Sequence, residues 1–249
     1  MERIARRSSK KEVMGLMEPL ISEWFNSKFD DLTEPQSYAI PIIHRRESVL
    51  VSSPTGSGKT MTAFLSIINE LFKYAKAGEL EEKIYCVYIS PLKALANDIN
   101  RNLEEPLREI AELAAKEHAN MPKIRVGVRS GDTSQYERQK MLKHPPHILI
   151  TTPESLALAL AAPKFREKFT SVEYVIVDEI HEICDSKRGV FLSLTLERLA
   201  QYRQNKLTRI GLSATLAPIE AVAQFLVGHE EGADRNVSIV EVKTRRTWT

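Results

Sequence analysis

Residues Ser53-Pro54-Thr55-Gly56-Ser57-Gly58-Lys59-Thr60 have the types and spacing to hold a triphosphate. Glycines at 56 and 58 let successive backbone N–H groups turn inward on phosphate oxygens, and a helix opening after them adds the partial positive charge of its N-terminus. Lys59 can then reach the β- and γ-phosphates and the Thr60 hydroxyl can hold Mg²⁺, with Thr55 and Ser57 completing the loop. The pattern ordinarily opens on glycine or alanine, and Ser53 is a small substitute. A second stretch, Tyr174-Val175-Ile176-Val177-Asp178-Glu179-Ile180-His181, reads as an apolar strand ending in two carboxylates. Beside a phosphate loop, Asp178 can hold the cation through a water while Glu179 takes a proton from the water attacking the γ-phosphate. The chemistry to expect is therefore hydrolysis of a nucleoside triphosphate with Mg²⁺.

These residues need a sheet to bring them together, and the chain supplies its pattern. Apolar runs of strand length recur at Val49 to Ser52, Ile84 to Ser90, Ile124 to Val128, His147 to Thr151, Tyr174 to Asp178, Leu207 to Ser213 and Val237 to Val242. Runs such as Ile148-Leu149-Ile150 do not alternate with polar residues, as expected of parallel strands covered on both faces. Amphipathic stretches near Met61 to Ala77, Ala94 to Ala119, Ser134 to Lys143, Pro153 to Ala161, Val190 to Arg203 and Ile219 to Val227 read as the intervening helices. The fold class is α/β, a mostly parallel sheet of about seven strands with helices on both faces. In such sheets ligands collect beyond the carboxyl ends of the strands.

Composition narrows the remaining choices. The chain has 249 residues, 43% of them hydrophobic, and reads as a single domain over 1–249 with 1–27 as an N-terminal helical extension. A net charge of +2 does not by itself argue for a polyanion partner, so a nucleic-acid surface must be a local patch. Arg3, Arg6, Arg7, Lys10 and Lys11 form a basic N-terminal cluster that reads as a solvated, frayed tail. The two cysteines, Cys86 and Cys184, read as reduced thiols. With no apolar stretch near ~20 residues and no signal-peptide core, the expectation is a cytoplasmic protein without a membrane span.

Asp178-Glu179-Ile180-His181 resembles the DExH box of superfamily 2 helicases, and other stretches fit that family in order. Phe29 to Gln36 resembles a Q motif, which implies that Gln36 reads the adenine edge while Phe29 or Phe25 packs on the ring. Ser90 to Ala96 resembles motif Ia, Thr152-Pro153-Glu154-Ser155 motif Ib, and Ser213-Ala214-Thr215 motif III. The nearest likeness is to the large helicase-related (Lhr) branch, carried by Pro91 to Asp98, Gly131-Asp132-Thr133, the phosphate loop and the DExH box, over about Trp24 to Val242. The resemblance implies a RecA-like domain, the first motor domain of an ATP-dependent helicase, and ATP as the nucleotide. It also implies single-stranded or partly duplex nucleic acid, DNA before RNA, along Pro91, Lys93, Arg129, Ser130, Gly131, Thr152 and Glu154, with His181, Ser213 and Thr215 coupling the two ligands. Leu32 and Pro35 depart from the usual Q motif. The stretch after Thr215 is too short for a second RecA-like domain, so that domain is expected to be absent and hydrolysis by the chain alone slow, since an arginine finger is worth about 10³ to 10⁵ in rate. A P-loop kinase or metabolic ATPase would explain Lys59 and Asp178 but not the motif-like Thr152-Pro153-Glu154 and Ser213-Ala214-Thr215. A binding module that has lost catalysis would not explain an intact Lys59, Thr60, Asp178 and Glu179.

Overall fold

A computed structural model describes residues 1–4, 6–90, 99–116, 123–202, 206–214, 218–230 and 233–242. Among these, the apolar runs become strands β2 (Val49–Ser52), β3 (Cys86–Ile89), β4 (Val126–Arg129), β5 (Ile148–Thr151), β6 (Tyr174–Val177), β7 (Thr208–Ser213) and β10 (Ser238–Glu241). An eighth, β1 (Glu2–Arg3), completes a sheet of order β1-β10-β2-β7-β6-β3-β5-β4 in which every pairing is parallel. A separate two-stranded ribbon joins β8 (His229–Glu230) and β9 (Ala233–Asp234).

The unbroken apolar runs follow from double coverage, because successive side chains leave a strand on opposite faces. In β2, Val49 and Val51 enter one core cluster with Phe64 and Ile68 of helix Lys59–Ala77, Ile40 of helix Glu34–His44 and Ile110 of helix Glu105–Lys116. Leu50 enters the other, with Leu156 of helix Pro153–Ala161, Leu196 of helix Lys187–Tyr202 and Leu226 of helix Ile219–Val227. In β6 the same parity sends Ile176 to the first cluster and Val175 and Val177 to the second. Each fully buried Leu, Ile or Val contributes about 1.5 to 3 kcal/mol, so both faces hold the sheet. Gly211 in β7 marks where the second layer comes closest: a Cβ there would lie 2.8 Å from Leu50 and 2.9 Å from Leu226. Cys86 is buried and Cys184 half-buried, both as free thiols, and burial pushes both thiols up.

One expectation needs correction. The N-terminus is not frayed: β1 pairs with β10, Arg3 bonds Glu220 and Glu241, and a Ser9–Glu12 capping box opens helix Lys10–Met14. Lys10 donates to the carbonyls of Phe29 (3.0 Å) and Asp30 (2.9 Å), so part of the basic cluster is consumed inside the fold. The helix expected over Ala94 to Ala119 is helical where described, a π-helical turn, Asn100–Glu104, leading into helix Glu105–Lys116, and its two ends lie outside the described residues. Among the described residues no helix is long and apolar enough to cross a membrane.

Candidate active site

Because all eight strands run the same way, the loops leaving their carboxyl ends share one rim. β2 turns there into the phosphate loop. Gly56 (φ +79°) and Gly58 (φ +86°) both occupy the left-handed region, which glycine enters without a Cβ clash, and helix Lys59–Ala77 starts directly after Gly58. The loop is tied at its base, with Ser53 N–H donating to the Ser213 carbonyl (3.1 Å) and the Ser53 and Ser57 hydroxyls 2.7 Å apart. Ser53 thus does more than fit, since its hydroxyl braces the loop from within. Thr55 and Gly56 are exposed, Ser57, Gly58 and Thr60 half-exposed, and Lys59 is 4% exposed.

The acidic pair closes on this loop. Lys59 Nζ lies 3.6 Å from Glu179 Oε1. The DExH strand β6 is not the immediate neighbour of β2, however; β7 runs between them, which puts Ser213 between the phosphate loop and the acids. Asp178 is 5% exposed and both its oxygens are held, Oδ1 by the Glu179 N–H (2.9 Å) and Oδ2 by the Tyr88 hydroxyl. Burial raises the Asp178 pKa, and the bond from Tyr88 opposes that rise. Glu179 has φ +44°, a left-handed backbone that costs a non-glycine residue of the order of 1 kcal/mol or more. Its Oε2 is buried without a hydrogen bond among the described residues, 3.3 Å from His181 Nδ1. His181 Nδ1 in turn lies 3.4 Å from the Ser213 hydroxyl. The path Lys59–Glu179–His181–Ser213 is continuous; Thr215 lies outside the described residues.

The base-side residues meet the same space. An open cavity of about 470 Å³ is lined by Phe29, Thr33, Gln36, the phosphate loop, Asp178 and Glu179. Gln36 is 3% exposed, and its Oε1 accepts from the Thr33 N–H (2.8 Å), fixing the amide at the start of helix Glu34–His44. Phe29 is 37% exposed while Phe25 is fully buried beneath it, ring centroids 4.9 Å apart, so of the two it is Phe29 that lines the cavity. Arg101, Asn102 and Ser90 also line the cavity. Sequence reasoning missed Arg101 and Asn102 because they sit in a π-helical turn that no periodicity announces, although such turns concentrate at functional sites. It missed Tyr88 too, whose polar tip in an otherwise apolar strand was the available signal.

Further along the rim, Arg129 ends β4 but is no free surface cation. It is 8% exposed, its guanidinium lies 4.1 Å from the Phe165 ring centroid, and burial, reinforced by Arg138, lowers its pKa. Ser130 and Gly131 form a turn closed by Ser130 N–H donating to Thr133 Oγ1 (2.8 Å). Thr152 caps helix Pro153–Ala161 by accepting from the Ser155 N–H (3.3 Å). Glu154 binds Arg188 Nε at 2.7 Å, which holds its carboxyl below the usual range. Pro91 and Lys93 lie outside the described residues.

Residues 33–223 match the DEAD/DEAH box helicase family, and the chain belongs to it. It is 61% identical over 237 residues to the ATP-dependent helicase Lhr-Core of Methanothermobacter thermautotrophicus, covering 95% of this chain and 27% of that protein. It is 51% identical to the Lhr-Core helicase of Saccharolobus solfataricus, over 94% of this chain and 26% of that protein. Among solved structures, the Mycobacterium smegmatis helicase Lhr bound to ssDNA and AMP-PNP superposes with a TM-score of 0.84 at 44% identity, covering 93% of this chain and 28% of that one. The DEAD-box helicase Mss116 bound to ssRNA superposes at 0.76 with 20% identity, over 97% of this chain and 47% of that one, a likeness of fold alone. The fold is that of RecA-like helicase domains. The chain spans about a quarter of the length of the Lhr-Core relatives it matches.

Proposed function

We propose that this chain is the ATP-binding motor domain of an Lhr-type helicase, coupling ATP hydrolysis to movement along single-stranded nucleic acid, DNA before RNA. The observation that carries the reading is the meeting of Lys59 with Glu179 at 3.6 Å in a cavity that also contains Asp178, Gln36 and Phe29. Lys59 holds the β- and γ-phosphates, with Thr55, Gly56, Ser57 and Gly58 around them. Glu179 accepts the proton of the attacking water through its carboxylate, which lines the cavity. Gln36 reads the base edge and Phe29 packs on its face.

Thr60 and Asp178 are the residues that would hold Mg²⁺. The fit is chemical: both offer hard oxygen, and Asp178 is oriented by Tyr88 and the Glu179 N–H as a ligand carboxylate would be. When bound, the ion neutralises charge on the β- and γ-oxygens. Ser130, Gly131, Thr152 and Glu154, with Pro91 and Lys93, lie along one strand of nucleic acid, the hydroxyls and backbone N–H groups gripping phosphates without reading bases, while Arg129, packed on Phe165, supports that face from within. The exposed Glu154–Arg188 pair is worth under about 1 kcal/mol and yields to such a contact. We assign the arginine that completes the transition state to a second motor domain in the longer relatives, so the chain alone hydrolyses slowly.

The test is ATP turnover with and without single-stranded DNA. The reading expects stimulation by the strand, loss of nucleotide binding in Lys59→Ala, and a turnover raised by orders of magnitude when the second motor domain is supplied. ATPase activity indifferent to nucleic acid would instead favour a small-substrate P-loop enzyme, and unchanged nucleotide binding in Lys59→Ala would reject the site.

A further inference from the structure

The cavity around the phosphate loop continues past Phe29 into a smaller cleft lined by Trp24, Lys28, Met61, Arg101, Pro106 and Glu109. Phe29 follows helix Pro19–Lys28 and rests on two rings, Phe25 at 4.9 Å and, edge-on, Trp24 at 6.0 Å. Phe25 is locked by burial. Trp24 is buried as well, 3% exposed, and its orientation is further fixed by a hydrogen bond: its Nε1 donates to Glu109 Oε2 (2.7 Å), while Lys28 Nζ bonds the other oxygen, Oε1, at 2.7 Å. Lys28 and Trp24 together hold the Glu109 carboxyl below its usual range, so the acceptor is charged at neutral pH. From the opposite side, Lys10 anchors the backbone carbonyls of Phe29 and Asp30.

We propose that Glu109 is a positioning residue for base recognition: by fixing the Trp24 indole, it sets the Phe29 ring at the angle from which it packs on the purine. A carboxylate suits the task because it offers one oxygen to each donor, and a buried indole N–H left without an acceptor would turn the ring away. The Lys28 half of the clamp is exposed and contributes little; the Trp24 half does the positioning. Glu109 belongs to helix Glu105–Lys116, which follows the π-helical turn bearing Arg101 and Asn102, so the base stack is held by an element far from the Q-motif segment in sequence.

The inference rests on the nucleotide reading above, and the experiment separates the two. Equilibrium binding of ATP and of inorganic tripolyphosphate is measured for the chain and for Glu109→Ala, Glu109→Gln, Trp24→Phe and Lys28→Met. Loss of base packing should weaken ATP roughly 5- to 10-fold in Glu109→Ala and Trp24→Phe while leaving tripolyphosphate unchanged. Glu109→Gln, which keeps an acceptor for Trp24, and Lys28→Met should stay within about 2-fold of the parent. Equal weakening of ATP and tripolyphosphate, or unchanged ATP affinity in Trp24→Phe, overturns the proposal and leaves the nucleotide site standing. A parent chain that binds neither ligand removes the nucleotide reading itself, and this inference with it. Should Glu109→Ala not fold, Trp24→Phe against Glu109→Gln decides the question.

Discussion

Arg46 and Glu179 are the two non-glycine residues with left-handed φ among the described residues, and they sit at opposite ends of the sheet. At the amino end, Arg46 (φ +61°) is met on every side: Glu173, Glu70 at 3.4 Å, the Tyr74 hydroxyl at 2.9 Å and the Tyr174 ring at 4.5 Å. A second closed network lies at the same end, where Glu197 bridges Arg209 (2.9 Å) and Arg235 (2.7 Å). At the carboxyl end, Glu179 has one oxygen facing Lys59 and the other buried without a hydrogen bond. Similar backbone strain therefore serves two purposes. At Arg46 the strain is held by short contacts and contributes a fixed turn; at Glu179, whose neighbours Lys59 and His181 stand off at 3.6 and 3.3 Å, it points a carboxylate into the cavity.

Substitutions at the two ends should separate these purposes. Glu179→Gln has the largest expected effect, a fall in ATP turnover of about 10²- to 10⁴-fold, with thermal unfolding displaced by less than about 2 °C. A comparable loss of stability would place Glu179 with Arg46. Arg46→Ala should do the reverse. With Arg46 a third exposed, removing it costs about 2 to 3 kcal/mol, or roughly 5 °C or more, and nucleotide affinity holds.

His147, 2% exposed at the amino end of β5, sharpens the contrast through pH. Burial, assisted by Arg125, lowers its pKa from 6.5 to about 4, and its Nδ1 accepts from the Arg125 N–H at 3.0 Å. The folded state thus binds a proton less readily than the unfolded chain. Its contribution is complete above pH 6.5 and is lost as pH falls from there toward 4, up to about 2 kcal/mol after allowance for screening. Urea midpoints across that range should show the slope in the parent and a flatter profile in His147→Gln. The smallest effect on binding belongs to Ser213→Ala, which should alter nucleotide affinity by less than about 2-fold while reducing stimulation by single-stranded DNA, measured as the ratio of turnover with and without the strand.

The phosphate loop, the acidic pair and the seven long strands of the main sheet, with the helices between them, could be read in the sequence because each is a local pattern: glycine spacing, or an apolar run in a doubly covered sheet. What could not be read depends on residues distant in the chain. Nothing near Trp24 announces Glu109, nothing near Arg129 announces Phe165, and Lys10 looks like a tail cation until Phe29 is folded against it. The place of β7 between the loop strand and the acidic strand is likewise a matter of strand order, which apolar runs do not encode.

Gly58 carries a consequence for anyone redesigning this pocket. A methyl group at that position would sit 3.2 Å from Thr33 and 3.7 Å from the Gln36 amide, so the glycine loop and the Gln36 segment, the two halves of the proposed nucleotide site, approach too closely for a side chain between them. Altered base preference therefore cannot be grafted by exchanging residues 29–36 alone. A bulkier replacement at 33 or 36 would push the cradle out of shape, and compensating changes would have to be selected in both segments together.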